Sequence, residues 1–337
     1  MRSATPTTLN GINIYGHQPS DAIRAILNRT ERLARGERRD DGRKLGLVIE
    51  GGAMRAVQSA GGAVALSRMG MTEVFDEVFA TSAGTMNAAY FLSNQPDLGI
   101  GTYYQSCVGK RFINTMRFWK ILDIDWLFNQ VVRIDRPLDT DAILRSPSKM
   151  FVAMIDRASG EPRLIDVQAS STDPIQVFKA ASAMPVFYNR TVEVEGEPCM
   201  DGGLYNPFPL RSAIERGCTD ILVLLTQEAD FHHPPYTWWQ SALFDVMCAR
   251  RTSQLRGLLG RYHPTDRAFR DLALGVAPPQ QAVNVVTLTP EDTPEVSQTC
   301  TDPDQLRNAA DHYGKRVLSL FGADPVILAL KAETAAS

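Results

Sequence analysis

Residues 78–89 read VFATSAGTMNAA. An apolar run reaches Thr81 and a run of good helix formers starts at Ala83, with no loop residue between them. That juxtaposition predicts a strand turning sharply into a helix, with Ser82 on the turn. At a nucleophile elbow the residues two positions either side of the serine must be small, because the backbone folds tightly on itself; Ala80 and Gly84 meet that demand. A blander role stays open beside it, since a serine hydroxyl in this position also caps the helix over 83–93.

Working outward, the texture from Leu45 is LGLVIE, a glycine-rich turn, the helical pattern VQSAGGAVALSRMG, the strand EVFDEVFAT and then the elbow. Strand, turn and helix repeated in that order imply parallel strands under a helical layer. Further on, KMFVAMIDRASGEPRLIDV reads as two strands joined at Ser159-Gly160, NRTVEVEGEPCMDGG as a pair turning near Glu195-Gly196, and TDILVLLTQ as a buried strand, so the sheet is mixed. Ahead of this domain, residues 20–35 form an amphipathic pattern opened by Ser20 as cap, with Ile23, Ile26, Leu27 and Leu33 on one side and arginines on the other. That arm packs on its own domain or lies on anionic lipid. After Gln227 the pattern is mostly helical: a helix over about 238–260, a Pro-rich break at 278–279, a strand VNVVTLTP and a last helix DPDQLRNAADHYGKRVLSLF. The helix begun by Trp238-Trp239, with Arg250, Arg251, Arg256 and Arg261, suits either core packing or a lipid-facing surface. The expected organisation is an extension over 1–44, a sheet domain over 45–227 and a mostly helical region over 228–337 packed on it.

The chain of 337 residues is 44% hydrophobic and carries a formal charge of −3, which suits one large α/β domain with additions and gives no overall positive field for nucleic acid. Five cysteines, at 107, 199, 218, 248 and 300, lack metal-ligand spacing and suit ordinary thiols in a reducing compartment. The opening MRSATPTTLNGINIYGHQ has no apolar run of signal-peptide type, and no stretch reaches the roughly 20 apolar residues of a spanning helix. A cytoplasmic protein is expected, with peripheral contact at the inner membrane surface left open.

Two further turns carry chemistry. Glu50-Gly51-Gly52-Ala53-Met54-Arg55-Ala56 follows LGLVI, and its glycines let backbone N–H groups face an anion at the start of a helix. A dinucleotide-binding turn is the competing reading, with Glu73 or Asp76 at the right distance, but Ala53 and Ala56 stand where that fingerprint wants glycine. Asp201-Gly202-Gly203 follows the strand ending at Met200; alone, it is a turn.

EGGAMRA, ATSAG and DGG, at 50–56, 80–84 and 201–203, occur in the order of the loop, elbow and DG-[GA] motifs of the patatin-like phospholipases, and the chain resembles bacterial members of that family over about 45–227. AASAMPVF at 180–187 and NPFPLRSAIERGCTDILVLLT after the Asp are similar to the family's text as well. The resemblance implies a three-layer α/β/α patatin-like domain with a mixed central sheet. It implies Ser82 as nucleophile, Asp201 as general base, and N–H groups of Gly51, Gly52, Ala53 and Ala83 as an oxyanion hole. Arg55 would steady the loop or meet a lipid phosphate, and the activity would be hydrolysis of lipid or phospholipid esters without metal or cofactor. Ala53, Ala56 and Ala80 depart from the family's glycines, and a methyl at Ala53 disfavours positive φ. Two alternatives remain: a low-activity lipid-binding or regulatory protein, and a carboxylesterase whose triad takes one of His232, His233, His263 or His312.

Overall fold

The computed structural model describes residues 4–323 apart from 115, 118–119, 186, 189, 206–207, 232–236 and 249–257. Its strands are β1 (Thr7–Leu9), β2 (Ile12–Ile14), β3 (Leu45–Ile49), β4 (Glu77–Thr81), β5 (Lys149–Asp156), β6 (Pro162–Asp166), β7 (Val192–Val194), β8 (Glu197–Asp201), β9 (Asp220–Leu224) and β10 (Asn284–Leu288). Its α-helices are α1 (Pro19–Ala34), α2 (Val57–Arg68), α3 (Ala83–Leu92), α4 (Pro96–Gly101), α5 (Ile124–Trp126), α6 (Thr140–Arg145), α7 (Pro174–Ala181), α8 (Leu210–Glu215), α9 (Trp238–Cys248), α10 (Leu258–Ala273) and α11 (Pro303–Leu320).

β1 and β2 form a hairpin, and the other eight strands make one sheet in the order β10-β9-β3-β4-β5-β8-β7, with β6 also on β5. β10, β9, β3, β4 and β5 run parallel, and β6, β8 and β7 add antiparallel pairs. The central parallel strands β3, β4 and β9 are buried along their whole length, as strands covered on both faces must be. Leu47, Ile49, Val78, Ala80 and Leu222 pack with α1, α2, α3, α7 and α11 in one core. Val48, Phe79, Phe151, Ile221 and Val223 face the other way and pack with α8 and α10. Alternation along each strand therefore makes three α/β/α layers.

The flanking regions are built into this sheet. β10, from the last third of the chain, extends the sheet beside β9, and α11 packs on α2. α1 lies against β9 and β10, with Ile23 and Ile26 buried, so its apolar face is covered by its own protein. Two details differ from the sequence reading. The helix starts at Pro19, with Gln18 as the capping residue and no side-chain cap from Ser20, because proline's fixed φ and missing N–H suit the first helical position. Arg29 is on the packed side at 0% exposure, its Nε 2.7 Å from Asp41 and its Nη1 3.2 Å from Asp76, which compensates a cation no periodicity would place inside. The expected helix over 238–260 is described as α9, ending at Cys248, and α10 from Leu258. Residues 250, 251 and 256 and the side chain of Arg261 lie outside what is described, so the lipid-face reading there is untouched.

Candidate active site

The register of β5 brings the elbow and the distant aspartate together. β4 runs parallel to β5 and ends with Thr81 opposite Ala153. β8 runs antiparallel and ends with Asp201 opposite Met154, the next residue. β6 occupies the other edge of β5 over the same positions, so β4 and β8 share one edge and meet end to end. Ser82 and Asp201, 119 positions apart in the chain, are thereby neighbours. Gly202 fits at the junction because a Cβ there would stand 2.4 Å from the Ala153 carbonyl oxygen.

Ser82 has φ 51° and ψ −136°, a conformation costing a non-glycine residue on the order of 1–3 kcal/mol unless its surroundings enforce it. They do so by crowding. A Cβ on Gly84 would come 2.6 Å from the Ile49 carbonyl oxygen, and one on Gly51 would come 2.7 Å from Thr81 O and 2.8 Å from Ser82 Cβ. The elbow and the glycine loop are thus pressed together, and each needs the other's missing side chain. Ala80, two residues before Ser82, points into the core, where its methyl fits. Ser82 makes no side-chain cap to α3, which removes the helix-cap role; its hydroxyl lies beside the Asp201 carboxylate and favours the ionised form.

Asp201 is 1% exposed. Burial pushes its pKa up to about 7, while the Ser82 hydroxyl and the Gly203 N–H, 2.8 Å away, pull the other way. The result is a carboxylate poised to gain or lose a proton near neutrality.

In the loop, Gly52 has φ 133° and Ala53 φ 51°. The methyl of Ala53 therefore does not prevent a positive φ: the left-handed conformation is adopted at a cost, as at Ser82. Gly51 and Gly52 donate their N–H groups to no acceptor among the described residues. Those of Ala53 and Ala83 stand in the first turn of a 3-10 turn (Ala53–Ala56) and of α3, where an N–H has no partner within the helix. Arg55 turns back over Gly52 and points Nε at Thr226 Oγ1, 3.4 Å away, which places it as a loop brace.

The brace continues into residues the sequence did not single out. The buried Glu50 carboxylate accepts from the N–H and hydroxyl of Thr226, at 2.5 and 3.1 Å, and from Arg270 Nη2 at 2.8 Å. Arg270, on α10 and itself buried, also donates to Gln227 Oε1 at 2.6 Å and pairs with Asp266 at 3.5 Å. Asn87 of α3 donates to Ala56 O and Ser59 Oγ and accepts from Tyr103. Only the Glu of EGG was visible as a motif letter; Arg270 lies 220 residues away and carries no local signal.

Ser82, Asp201, the loop and Arg270 line one cavity of about 180 Å³. Much of its remaining wall is apolar, with Met86, Phe112, Leu122, Ile124, Leu127 and Phe187. Among the described residues no histidine lines it, and His312 is exposed on α11. His232, His233 and the side chain of His263 lie outside what is described. The dinucleotide reading fails on place: Asp76 sits at the start of β4, bonded to the Leu45 N–H at 2.7 Å and to Arg29, at the opposite end of the strands from Gly51.

The chain is 25% identical over 255 residues to the uncharacterized protein YjjU of Escherichia coli strain K12, covering 73% of this chain and 68% of that one. Among solved structures it resembles VipD from Legionella pneumophila, with a TM-score of 0.42 and 13% identity over 83% of this chain. It also resembles human GIVD cytosolic phospholipase A2 in complex with a methyl γ-linolenyl fluorophosphonate inhibitor, with a TM-score of 0.44 and 11% identity over 94% of this chain. It spans 66% of the length of each of those two. Residues 47–214, which hold the loop, the elbow and Asp201, match the model of the patatin-like phospholipases, and the chain belongs to that family.

Proposed function

We propose that the protein is a serine acyl hydrolase that cleaves lipid or phospholipid esters through a Ser82–Asp201 dyad. The observation that carries this reading is the elbow serine set beside a fully buried carboxylate, together with loop N–H groups that have no acceptor among the described residues. Ser82 Oγ attacks the ester carbonyl carbon while its proton passes to Asp201. The carbonyl oxygen, now negative, is held by the N–H groups of Gly51, Gly52, Ala53 and Ala83. Collapse breaks the acyl–oxygen bond, the leaving alcohol takes the proton from Asp201, and an acyl-Ser82 ester remains. Water then attacks that ester with Asp201 again accepting the proton, the Ser82 oxygen leaves and is reprotonated, and the fatty acid departs. An ordinary carboxylate is too acidic for this work, and the raised pKa of Asp201 narrows the mismatch.

The apolar wall opposite the dyad suits an acyl chain. Each methylene moved from water onto such a wall is worth about 0.8 kcal/mol, so kcat/KM should rise about fourfold per added carbon until the cavity is full. A panel of p-nitrophenyl esters from acetate to dodecanoate, with phosphatidylcholine and phosphatidylglycerol, tests the reading. Wild type hydrolyses the longer esters and at least one phospholipid, whereas Ser82→Ala falls to background. Equal rates for the two proteins would reject the nucleophile. We place the reaction at the surface of a lipid membrane; among the described residues no helix is long and apolar enough to cross one.

A further inference from the structure

Residues 112–114 and 120–123 pair as the root of a short hairpin beside the cavity. Ile113 bridges Leu122, and Asn114 N–H and Asp123 N–H donate to Ile121 O and Phe112 O. Leu122 N–H donates to Phe187 O, which pins the hairpin root to another cavity-lining segment. Phe112 and Leu122, at the root, are themselves part of the cavity wall. Away from the root the chemistry inverts, and Met116 is 75% exposed.

The charge around it is equally unusual. Arg117 and Lys120 pair with Asp123 at 3.1 and 2.6 Å, and Lys120, Lys179 and Arg190 pair with Asp125 at 3.1, 2.7 and 3.2 Å. Four cations thus share two carboxylates. Lys110 and Arg111 are exposed at the entrance to the hairpin and have no carboxylate partner among the described residues. Among the described residues, four positive charges remain without a carboxylate beside the exposed Met116 thioether, in a chain whose formal charge is −3. Ion pairs that only held the loop together would need no such excess.

We propose that this hairpin docks on an anionic lipid bilayer, seating Met116 among the acyl chains and Lys110 and Arg111 among the head groups, so that the cavity opens onto the membrane. The arguments are charge complementarity, an exposed apolar tip, and continuity between the hairpin root and the cavity wall. The inference takes its active site from the proposed function, but the docking itself does not depend on turnover.

Sedimentation with vesicles of phosphatidylcholine, alone or mixed with phosphatidylglycerol, tests it. Wild type and Ser82→Ala should partition to the mixed vesicles at least about tenfold better than to neutral ones, and added salt should weaken that binding. The triple variant Lys110→Gln/Arg111→Gln/Met116→Ser should lose roughly 30-fold or more, from two basic side chains at about 1 kcal/mol each. It should keep wild-type turnover of p-nitrophenyl butyrate in solution. The single variant Arg111→Glu, whose guanidinium lies 5.4 Å from the Trp126 ring and forms no ion pair among the described residues, should show a smaller loss in the same direction. Equal binding of wild type to neutral and anionic vesicles, or unchanged binding of both variants, would overturn the inference. Failure of every protein to hydrolyse any ester would instead count against the proposed function and leave the vesicle result readable.

Discussion

Asp201→Asn is expected to lower kcat by about 10⁴-fold, because an amide cannot take the Ser82 proton. Its geometry should persist: the Asn side-chain oxygen can still accept from Gly203 N–H, and KM should change little. Wild-type kcat/KM should rise with pH and level off above about 7, falling tenfold per unit below it, because only the ionised carboxylate is a base. The same group makes a prediction for stability with a definite sign. Its folded-state pKa is raised, so its contribution to stability is complete below the ordinary carboxylate pKa and is lost as pH rises through about 7, at a cost on the order of 4 kcal/mol. Asp201→Asn should therefore be at least as stable as wild type above that pH while being inactive. A variant that is both inactive and markedly less stable at pH 8 would mean that the carboxylate serves structure. A descending limb or a histidine-dependent profile would move the mechanism to a triad.

Arg270→Met should cost about 3–5 kcal/mol, the usual penalty for leaving a buried partner charge uncompensated. The charges left unpaired would be Asp266 and Glu50, whose carboxylate is otherwise met, among the described residues, by Thr226 at the root of the glycine loop. Denaturant midpoints measure the loss, and kcat should fall more than KM changes, because Gly51 and Gly52 follow Glu50 directly. The double variant Glu50→Gln/Arg270→Met should recover the part of the loss that comes from Glu50, while Asp266, 3.5 Å from Arg270, still lacks its partner. Additive losses in the double variant would show that the pair is not coupled. The same contact predicts that a chain ending near residue 227 lacks a working loop: its brace comes from α10.

Much of the site was legible because its parts are local. The elbow follows from an apolar strand that meets helix formers at Ser82 without a loop, and the glycine turn follows from LGLVI running into EGG. The strand pairs at 149–166 and 192–201 could be read from their alternation and turns, with Glu195 and Gly196 both at positive φ as a tight hairpin requires. What joins these parts is not local. Nothing in the sequence says that β4 and β8 end nose to nose on one edge of β5, and that register creates the dyad. Arg29 and Arg270 illustrate the same limit: periodicity assigns an arginine to solvent, and only the carboxylates that the fold brings to it, Asp41 and Asp76 for Arg29 and Glu50 and Asp266 for Arg270, make its burial tolerable. Ala53 is a different case, where residue preference pointed away from positive φ and the loop adopts it all the same. The hairpin at 112–123 has too few residues and too mixed a pattern to register as structure in the sequence at all.

The central claim is that Ser82 is the nucleophile, and a fluorophosphonate probe followed by peptide mass spectrometry tests it most directly. Wild type should carry one covalent phosphonyl adduct on the peptide containing Ser82, formed fastest above pH 7 and slowed by a long-chain ester. Ser82→Ala should carry none, and Asp201→Asn should react far more slowly. An adduct on another residue, or lipid hydrolysis that persists in Ser82→Ala, would contradict the account.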